Sequence, residues 1–517
     1  MKYPSHTPSS SSNETNSSER WFFRSLLGLL GLVLLARLTL LLAGGALAFP
    51  DEDRYLESIK AAQLLLAGDP EGAALHLANT QGRPADALLR LPVAFVQVFW
   101  QQLGGPHPEA PLSLLLPQLM NYLVLVGNVL LLYLLGLRWL PKTSALTGCL
   151  LYAALVSSNL YLRHLLPYDL ALLVLLVALV ILTRNSRPVT VSGTRQLGLL
   201  TGVLGWLVVA IYPGYYFAPV LVGLFLLAHL PSPRWLQGIL WAVVGALFVI
   251  LLLELITRYG HISYLRSLQT LGPSIIQGDF SEGFSFSGRY LWQIEGVSGI
   301  ALVLLALPGM ALLSRTRTTE TRPMLRALAW GPLGLWLLHA SLAYFAHKFV
   351  FYGRILHFFV PFLVLYAVSA LAWLPPVGRR VSQALVVGST LFGFCHFLHA
   401  YGGLAYPRDV LAKLAVQPID HLTYMNEGGL GHSWDFSPPP GLARPAAVPS
   451  SLLLVNFTYP YPMPLTGCAA VAAPSGGHLL YAGPHFLTFP AYAFEGFTPA
   501  ERQHLRSCNF QCRVYQR

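Results

Sequence analysis

A run of three acidic residues has the clearest chemical potential in this chain. The run follows Pro50 directly, at the point where the first long apolar segment ends. Carboxylates this close to hydrocarbon are costly unless they are solvated, paired or bound to a cation. We therefore expect the run to form the edge of an active site. Its members are Asp51, Glu52 and Asp53, with Arg54 and Tyr55 as supporting residues.

A purely structural explanation accounts for the same residues. Asp51 can cap the N-terminus of a helix, with Glu52 and Asp53 in its first turn, where the positive end of the helix dipole favours acids. Spacing alone does not separate this explanation from an active site.

The residues after the acidic run predict a helix that lies on the membrane surface. Apolar side chains recur at helical spacing at Tyr55, Ile59, Ala62 and Leu66, as in an interfacial helix. The Gly-Asp-Pro sequence at 68–70 predicts the end of this helix.

Composition places the chain in a membrane. Of its 517 residues, 54% are hydrophobic and 11% are charged, whereas soluble proteins have roughly 25% charged residues. The formal charge is +11, but the basic residues occupy short loops between apolar runs, where they report orientation and contacts with anionic lipid. We therefore expect membrane lipids as partners and no nucleic acid.

The chain divides into three parts by composition. Residues 1–19 are rich in Ser, Asn and Thr and predict a disordered cytoplasmic leader. Residues 20–400 form the transmembrane domain, in which 51–103 is the first external loop. Residues 401–517 contain strand-like runs at Leu452–Phe457 and His478–Phe489, and predict a small external α/β domain.

The number of spans depends on residues 88–103. This segment is apolar but short and contains Arg90 and Pro92, so we predict a second interfacial helix. The fold class is then an all-α polytopic membrane protein with about eleven spans. The predicted spans are 22–49, 112–137, 143–161, 168–183, 196–212, 215–230, 235–256, 296–313, 327–345, 354–374 and 381–400.

This count places basic residues in every inside loop, as the positive-inside rule requires. The N-terminus is then cytoplasmic, and the C-terminus and the acidic run are external, with the bacterial inner (plasma) membrane preferred. The inside basic residues are Arg138, Lys142, Arg184, Arg187, Arg195, Arg234, Arg315, Arg317, Arg322, Arg326, Arg379 and Arg380.

Three of the five cysteines lie in the external tail. Cys468, Cys508 and Cys512 lack a convincing fourth ligand for zinc. In an oxidising compartment we expect Cys468 to pair with Cys508 or Cys512.

Basic residues also occur on the external face, where the positive-inside rule predicts depletion. Each of them alone is explained by contact with lipid headgroups. Together with the acids, they supply a carboxylate that can accept a proton and cations that can hold a phosphate. We predict that they bind the phosphate of a phosphorylated donor. They are Arg83, Arg163, His164, Lys348, Arg354 and His357.

Several motifs resemble the GT-C-fold glycosyltransferases that use polyprenyl-phosphate sugars. They are PDEDRY at 50–55 with Gly-Asp at 68–69, GRP at 82–84, RHLLPYD at 163–169 and HKFVFYGRILHFFVPFLVLY at 347–366. The motif sequences most resemble those of the lipid A aminoarabinose transferase type, and they are also similar to those of protein O-mannosyltransferases. The resemblance covers 22–183 well, weakens over 196–346 and returns at 347–366.

The resemblance implies an inverting membrane glycosyltransferase with an external active site. Asp51 matches the first acid of the family motif and becomes the candidate general base, beside Glu52. Asp169 matches the second external acid. Mg²⁺ or Mn²⁺ held by Asp51 and Asp169 stays open, because some relatives use a metal and Arg54 can neutralise the acids instead.

The expected partners are a polyprenyl-phosphate sugar donor and a glycolipid, glycan or protein acceptor. Two other functions stay open. A transporter or flippase for a lipid-linked glycan should show internal repeats and broken helices at the membrane midplane, and no clear repeat is found. A non-catalytic envelope-assembly protein is the third interpretation.

Overall fold

The structure is a computed structural model, and it describes residues 12–47, 50–184, 190–276, 282–315, 322–351, 353–402, 421–424, 452–456, 478–482 and 513–516. Most of the described residues are helical. The helices are α1 Ser12–Leu41, α2 Asp53–Leu66, α3 Pro70–Ala78, α4 Pro84–Gln102, α5 Pro111–Gly136, α6 Lys142–Ala154, α7 Tyr168–Arg184, α8 Val191–Ile211, α9 Ala218–His229, α10 Trp235–Tyr259, α11 Tyr264–Ile276, α12 Phe284–Glu295, α13 Val297–Arg315, α14 Arg322–Ala346, α15 Gly353–Ala372 and α16 Pro376–Gly402. Single 3₁₀ turns lie at Pro50–Glu52, Pro213–Tyr215 and Ser232–Arg234.

Seven helices within the described ranges are long and apolar enough to cross a membrane. They are α1 from Glu19, α5, α8, α10, α13, α15 and α16. Helices α7 and α9 are apolar but shorter. Helix α15 is almost completely buried, whereas most of α10 faces outward. The membrane class predicted from composition is therefore confirmed, and α15 is the central helix of the bundle.

The first helix ends before its predicted end. Helix α1 stops at Leu41, short of Phe49, and Gly44 and Gly45 follow with φ of 77° and 103°. These are left-handed backbone conformations that favour glycine. The chain therefore leaves the helix here, and the carbonyl groups of Ala43 and Gly44 become available to side chains of another loop.

Helix α6 is also shorter than predicted, ending at Ala154 and not at 161. Polar side chains just beyond it bond to its last carbonyl groups. The Asn159 amide donates to the Ala153 carbonyl at 3.3 Å, and the Ser158 hydroxyl donates to the Tyr152 carbonyl at 2.5 Å. Such local bonds compete with continuation of a helix. They open the loop 155–167 before α7.

The described segment between α1 and α5 contains three helices where two were predicted. Helix α2 begins at Asp53 and helix α4 spans the segment around 88–103, as expected. Helix α3 was missed because Gly68-Asp69-Pro70 was interpreted only as a helix end. Asp69 in fact caps α3, since its Oδ1 accepts from the Gly72 N–H at 2.8 Å and Pro70 occupies the first position.

Four short strands form one sheet in the C-terminal part. They are β1 His421–Tyr424, β2 Leu452–Asn456, β3 His478–Ala482 and β4 Arg513–Gln516, in the order β1-β2-β4-β3. Strands β1 and β2 are parallel, and the other two pairs are antiparallel. Strand β2 matches the predicted run 452–457, and β3 matches the first five residues of the predicted run 478–489, whose remainder lies outside the described residues. The predicted disulfide at Cys468 lies outside the described residues.

Candidate functional site

The Asp51 carboxylate binds two arginines. Arg354 Nη1 lies 2.6 Å from Asp51 Oδ2, and Arg54 Nη1 lies 3.0 Å from Asp51 Oδ1. Arg54 also donates to the backbone carbonyl of Asp51 at 3.2 Å. Arg354 is in the first turn of α15, so the fold joins the central helix to the acidic run that follows the first span.

Asp51 does not cap the N-terminus of α2. The residue before α2 is Glu52, and no side chain caps this helix. Both oxygens of Asp51 contact arginine side chains instead.

Two of the cations rest on aromatic rings. The guanidinium of Arg354 lies 5.7 Å from the ring centre of Tyr168, and that of Arg83 lies 5.2 Å from the ring centre of Tyr212. The two tyrosine rings contact each other edge to face at 4.7 Å. Cation–π contacts of this kind fix the position of a guanidinium independently of its acidic partner. Arg54 is held separately by the amide oxygen of Gln81 at 2.6 Å.

Three positive charges keep Asp51 ionised. Burial acts to raise the pKa of Asp51, but the charges of Arg354, Arg83 and Arg54 outweigh it and hold this pKa well below its usual range. This lowering of the pKa of Asp51 has a chemical consequence. A carboxylate stabilised in this way is a weak proton acceptor for as long as the three arginines surround it.

Exposure separates Asp51 from its neighbour Glu52. The side chains of Asp51, Arg354 and Arg54 are 17%, 18% and 14% exposed, whereas that of Glu52 is completely buried. Glu52 Oε1 accepts from the backbone N–H of Leu47 at 3.0 Å and from that of Leu165. Asp51 is thus open to a ligand, while Glu52 joins the segment after α1 to the loop 155–167.

Arg163 and His164 belong to the same buried structure. The Arg163 guanidinium donates to the carbonyl groups of Ala43 and Gly44 at 2.5 Å each. His164 Nδ1 lies 3.3 Å from Glu52 Oε2. Burial lowers the pKa of His164, with Glu52 acting in the opposite direction. Both residues were predicted to bind phosphate, but their side chains are fully buried in this conformation.

The second predicted acid also contacts the first turn of α15. Asp169, near the start of α7, places Oδ1 2.9 Å from Nε2 of His357. Both side chains are almost fully buried. His357 lies one helical turn after Arg354, so the two side chains are close together on α15. One turn of α15 therefore contacts both predicted acids.

The remaining predicted residues have other positions. Lys348 follows α14 and is exposed, and no contact described for its side chain reaches Asp51 or Asp169. Tyr55 is buried and bonds through its hydroxyl to the side chain of Gln97, which ties α2 to α4. Asp53 begins α2, and its side chain lies outside the described residues.

Sequence reasoning missed two charged residues that hold the loop 155–167. Glu295, at the end of α12, accepts from the backbone N–H of Val156 at 3.0 Å and of Ser157 at 2.7 Å. Arg37 in α1 donates to the Ser158 hydroxyl at 2.8 Å. Both side chains are buried, and burial raises the pKa of Glu295. Arg37 was detectable, because a charge inside an apolar span indicates a function or a partner.

A third missed residue, Arg90, joins α4 to the helix bundle. It contacts Asp86 at 2.9 Å, Asn121 at 3.1 Å and the carbonyl of Leu166 at 2.8 Å. The buried guanidinium thereby fixes α4 against α5 and against the end of the loop 155–167.

The described side chains around Asp51 and Asp169 do not form a typical metal-binding site. Among the described side chains, no group of three or more His, Cys, Asp and Glu residues can hold one. Asp51 is surrounded by three guanidiniums, which repel a cation. Asp169 has His357 as its partner. Mg²⁺ or Mn²⁺ stays a prediction of the family resemblance, and we derive no step through it.

An apolar cavity of about 330 Å³ lies between α12, α13, α14 and α15. Its wall along α15 runs from Leu356 to Tyr366, a length of about 15 Å at about 1.5 Å rise per residue. Leu356 follows Arg354 by two positions, so the two side chains point to different faces of α15. Neither Asp51 nor its three arginines line the cavity.

Comparison with known proteins gives this chain no family. No protein-family model matches it, and no curated protein matches it. The function is therefore argued from the geometry of the cluster at Asp51.

Proposed function

We propose that this protein is an integral membrane glycosyltransferase that moves a sugar from a polyprenyl-phosphate donor to an acceptor hydroxyl. The observation that carries the proposal is the partly open cluster of Asp51 with Arg354, Arg54 and Arg83. It combines three guanidiniums, suited to a phosphate leaving group, with one carboxylate that can accept a proton when the arginines bind that phosphate instead. The acceptor belongs to a glycolipid, a glycan or a protein.

The proposed reaction inverts the configuration of the sugar. The acceptor oxygen forms a bond to the anomeric carbon while the bond from this carbon to the phosphate oxygen breaks, and its electron pair stays on the phosphate. The acceptor proton passes to Asp51. Arg354, Arg83 and Arg54 stabilise the charge that develops on the departing phosphate, for which arginine offers paired donors in a fixed geometry.

The other predicted residues have supporting roles in this proposal. Glu52, Arg163 and His164 hold the loops around the site together. Asp169 and His357 fix the first turn of α15 and with it Arg354. The cavity along α15 is suited to an isoprenoid chain, because its lining is apolar.

We further propose eleven spans, with the N-terminus in the cytoplasm and the site and the C-terminal α/β domain outside. Each predicted span overlaps a helix of the structure, and the seven long apolar helices are among them. The basic inside loops support this orientation. An external site requires a lipid-linked donor, because nucleotide sugars are made in the cytosol.

The proposal is tested with purified protein in phosphatidylcholine nanodiscs. A panel of radiolabelled polyprenyl-phosphate hexoses and pentoses is supplied with isolated envelope glycolipids, glycans and proteins as acceptors. We expect acceptor-dependent release of polyprenyl phosphate and a labelled acceptor for at least one donor. Movement of the intact donor across the bilayer of a proteoliposome, without any transfer, would instead support a flippase.

A further inference from the structure

The Asp51 carboxylate has the position that an incoming anion would need. One of its oxygens contacts Arg354 and the other contacts Arg54. A phosphate oxygen binds guanidinium groups with the same kind of charge-assisted hydrogen bond. In the described structure, the chain's own acid therefore uses the donors that a phosphate would use.

The cluster carries more positive charge than Asp51 neutralises. Arg354, Arg83 and Arg54 each interact electrostatically with this one carboxylate. The neighbouring acids are engaged elsewhere. Glu52 is turned toward backbone N–H groups and His164, and Asp169 toward His357. A phosphate that replaced Asp51 would thus meet the same three guanidiniums that act on Asp51.

The arginines keep their positions without Asp51. Tyr168 supports Arg354, and Tyr212 supports Arg83. Arg54 has the side chain of Gln81 and the backbone carbonyl of Asp51 as further acceptors. These contacts would hold the arginines in place after the Asp51 side chain departs, and that side chain is partly exposed, 17%.

We infer that the Asp51 carboxylate occupies the donor-phosphate site of the unliganded protein and that a bound phosphate displaces it from Arg354. This inference rests on the proposed function and adds an order of events to it. While paired, Asp51 is a weak base. Once phosphate holds the arginines, Asp51 is free to accept the acceptor proton, so the base forms only when the donor is bound.

The inference predicts opposite effects of one substitution on binding and on turnover. Asp51→Asn removes the competing charge, so a polyprenyl phosphate should bind more tightly, while transfer should be lost. A residue that served only in binding or in metal coordination would weaken binding when replaced. Loss of an ion pair worth about 1 kcal/mol corresponds to roughly a fivefold gain in affinity.

A matched control separates direct competition from a general gain of positive charge. Glu57 is an acid of the adjacent helix α2 with similar exposure, 15% against 17%, and it pairs with His76 and Lys60. Glu57→Gln changes the net charge by the same amount but leaves Arg354 paired with Asp51. We expect it to change affinity by less than about twofold, since its own charge is screened and compensated.

The experiment measures binding of farnesyl phosphate to the full chain in phosphatidylcholine nanodiscs, with inorganic phosphate and farnesol as separate ligands. We expect Asp51→Asn to bind farnesyl phosphate about fivefold more tightly than the wild type, and Arg354→Ala to bind it more weakly. If inorganic phosphate competes with farnesyl phosphate and farnesol does not, the phosphate is the group that the site recognises. If farnesyl phosphate binds tightly and neither inorganic phosphate nor farnesol competes, the site requires a lipid-linked phosphate. Thermal unfolding of each variant checks that it is folded.

Two results would contradict the displacement of Asp51, and only one of them would also contradict the proposed function. Equal or weaker binding by folded Asp51→Asn, with clear binding by the wild type, overturns the displacement and leaves the proposed function standing. Absence of binding by the wild type and by folded Asp51→Asn overturns both.

Discussion

Arg354 Nη1 lies 2.6 Å from Asp51 Oδ2, although 303 positions separate the two residues in the chain. The contact joins the first turn of the most buried helix to the acidic run after the first span. Because Tyr168 also supports Arg354, the guanidinium is fixed from two sides. This ion pair is the structural centre of the proposed phosphate site.

Replacement of Arg354 should affect the donor more than the acceptor. Arg354→Ala removes one of the guanidiniums proposed to hold the phosphate, and we expect the apparent KM for the polyprenyl phosphosugar to rise about tenfold or more, with a fall in turnover. Arg354→Lys keeps the charge but loses the fork geometry, so a smaller rise is expected. Steady-state kinetics with varied donor give both values.

The matched control for Arg354 is Arg289. This residue lies in α12, and its Nη1 is 3.0 Å from the carboxylate of Glu282, which precedes α12. Arg289→Ala should leave the donor KM within about twofold of the wild type, because this pair is partly exposed and contributes little. An equal rise of KM in both variants would show that Arg354 acts through general charge and not at a phosphate site.

Asp169 and His357 should behave as one unit. Asp169→Asn and His357→Gln each remove one side of the 2.9 Å contact, so each should lower turnover and thermal stability. Because the second change has nothing left to break, the double variant should resemble the more damaged single variant. Thermal unfolding and transfer rates of the four proteins measure this coupling, and strict additivity would contradict it.

Glu295 should stabilise the loop 155–167. Glu295→Ala leaves the buried N–H groups of Val156 and Ser157 without this acceptor, and each such group costs about 1–3 kcal/mol. We expect a clear fall in the unfolding temperature, with a smaller fall for Glu295→Gln, which keeps one acceptor oxygen. Glu71→Ala is the control, since the pair of Glu71 with His261 is exposed and its loss should leave the unfolding temperature unchanged.

The proposed orientation makes a labelling prediction. In a variant without native cysteines, Ser232→Cys should be shielded from an impermeant thiol reagent in intact cells, and Glu71→Cys should react. Both positions are exposed in the structure, so access depends on the side of the membrane. Labelling at 232 with protection at 71 would invert the orientation and move the proposed site into the cytoplasm.

Some features were predictable from the sequence because they are local. Apolar length identified the membrane class, and helical spacing after the acidic run identified α2. The position of Asp51 at the end of the first apolar segment predicted a functional site, and this stays a prediction. These inferences need only neighbouring residues, and for this reason they hold without knowledge of the tertiary contacts.

Other features depend on contacts between distant parts of the chain. Asp51 and Glu52 are adjacent and chemically similar, but one is open to a ligand and the other is buried between two loops. Nothing in their spacing distinguishes them. The functions of Arg37 and Glu295 likewise depend on the loop 155–167, which exists because Ser158 and Asn159 end α6 earlier than the apolar pattern predicts.

The transfer rate of Asp51→Asn, compared with those of the wild type and Glu57→Gln, tests the central claim most directly. The measurement is release of polyprenyl phosphate from a radiolabelled donor and acceptor pair that the wild-type protein uses. Asparagine keeps the shape and hydrogen bonding of aspartate but cannot accept the proton, so we predict a fall on the order of 10²–10⁴-fold, with Glu57→Gln near wild type. A folded Asp51→Asn protein with the wild-type rate would contradict the assignment of Asp51 as the base.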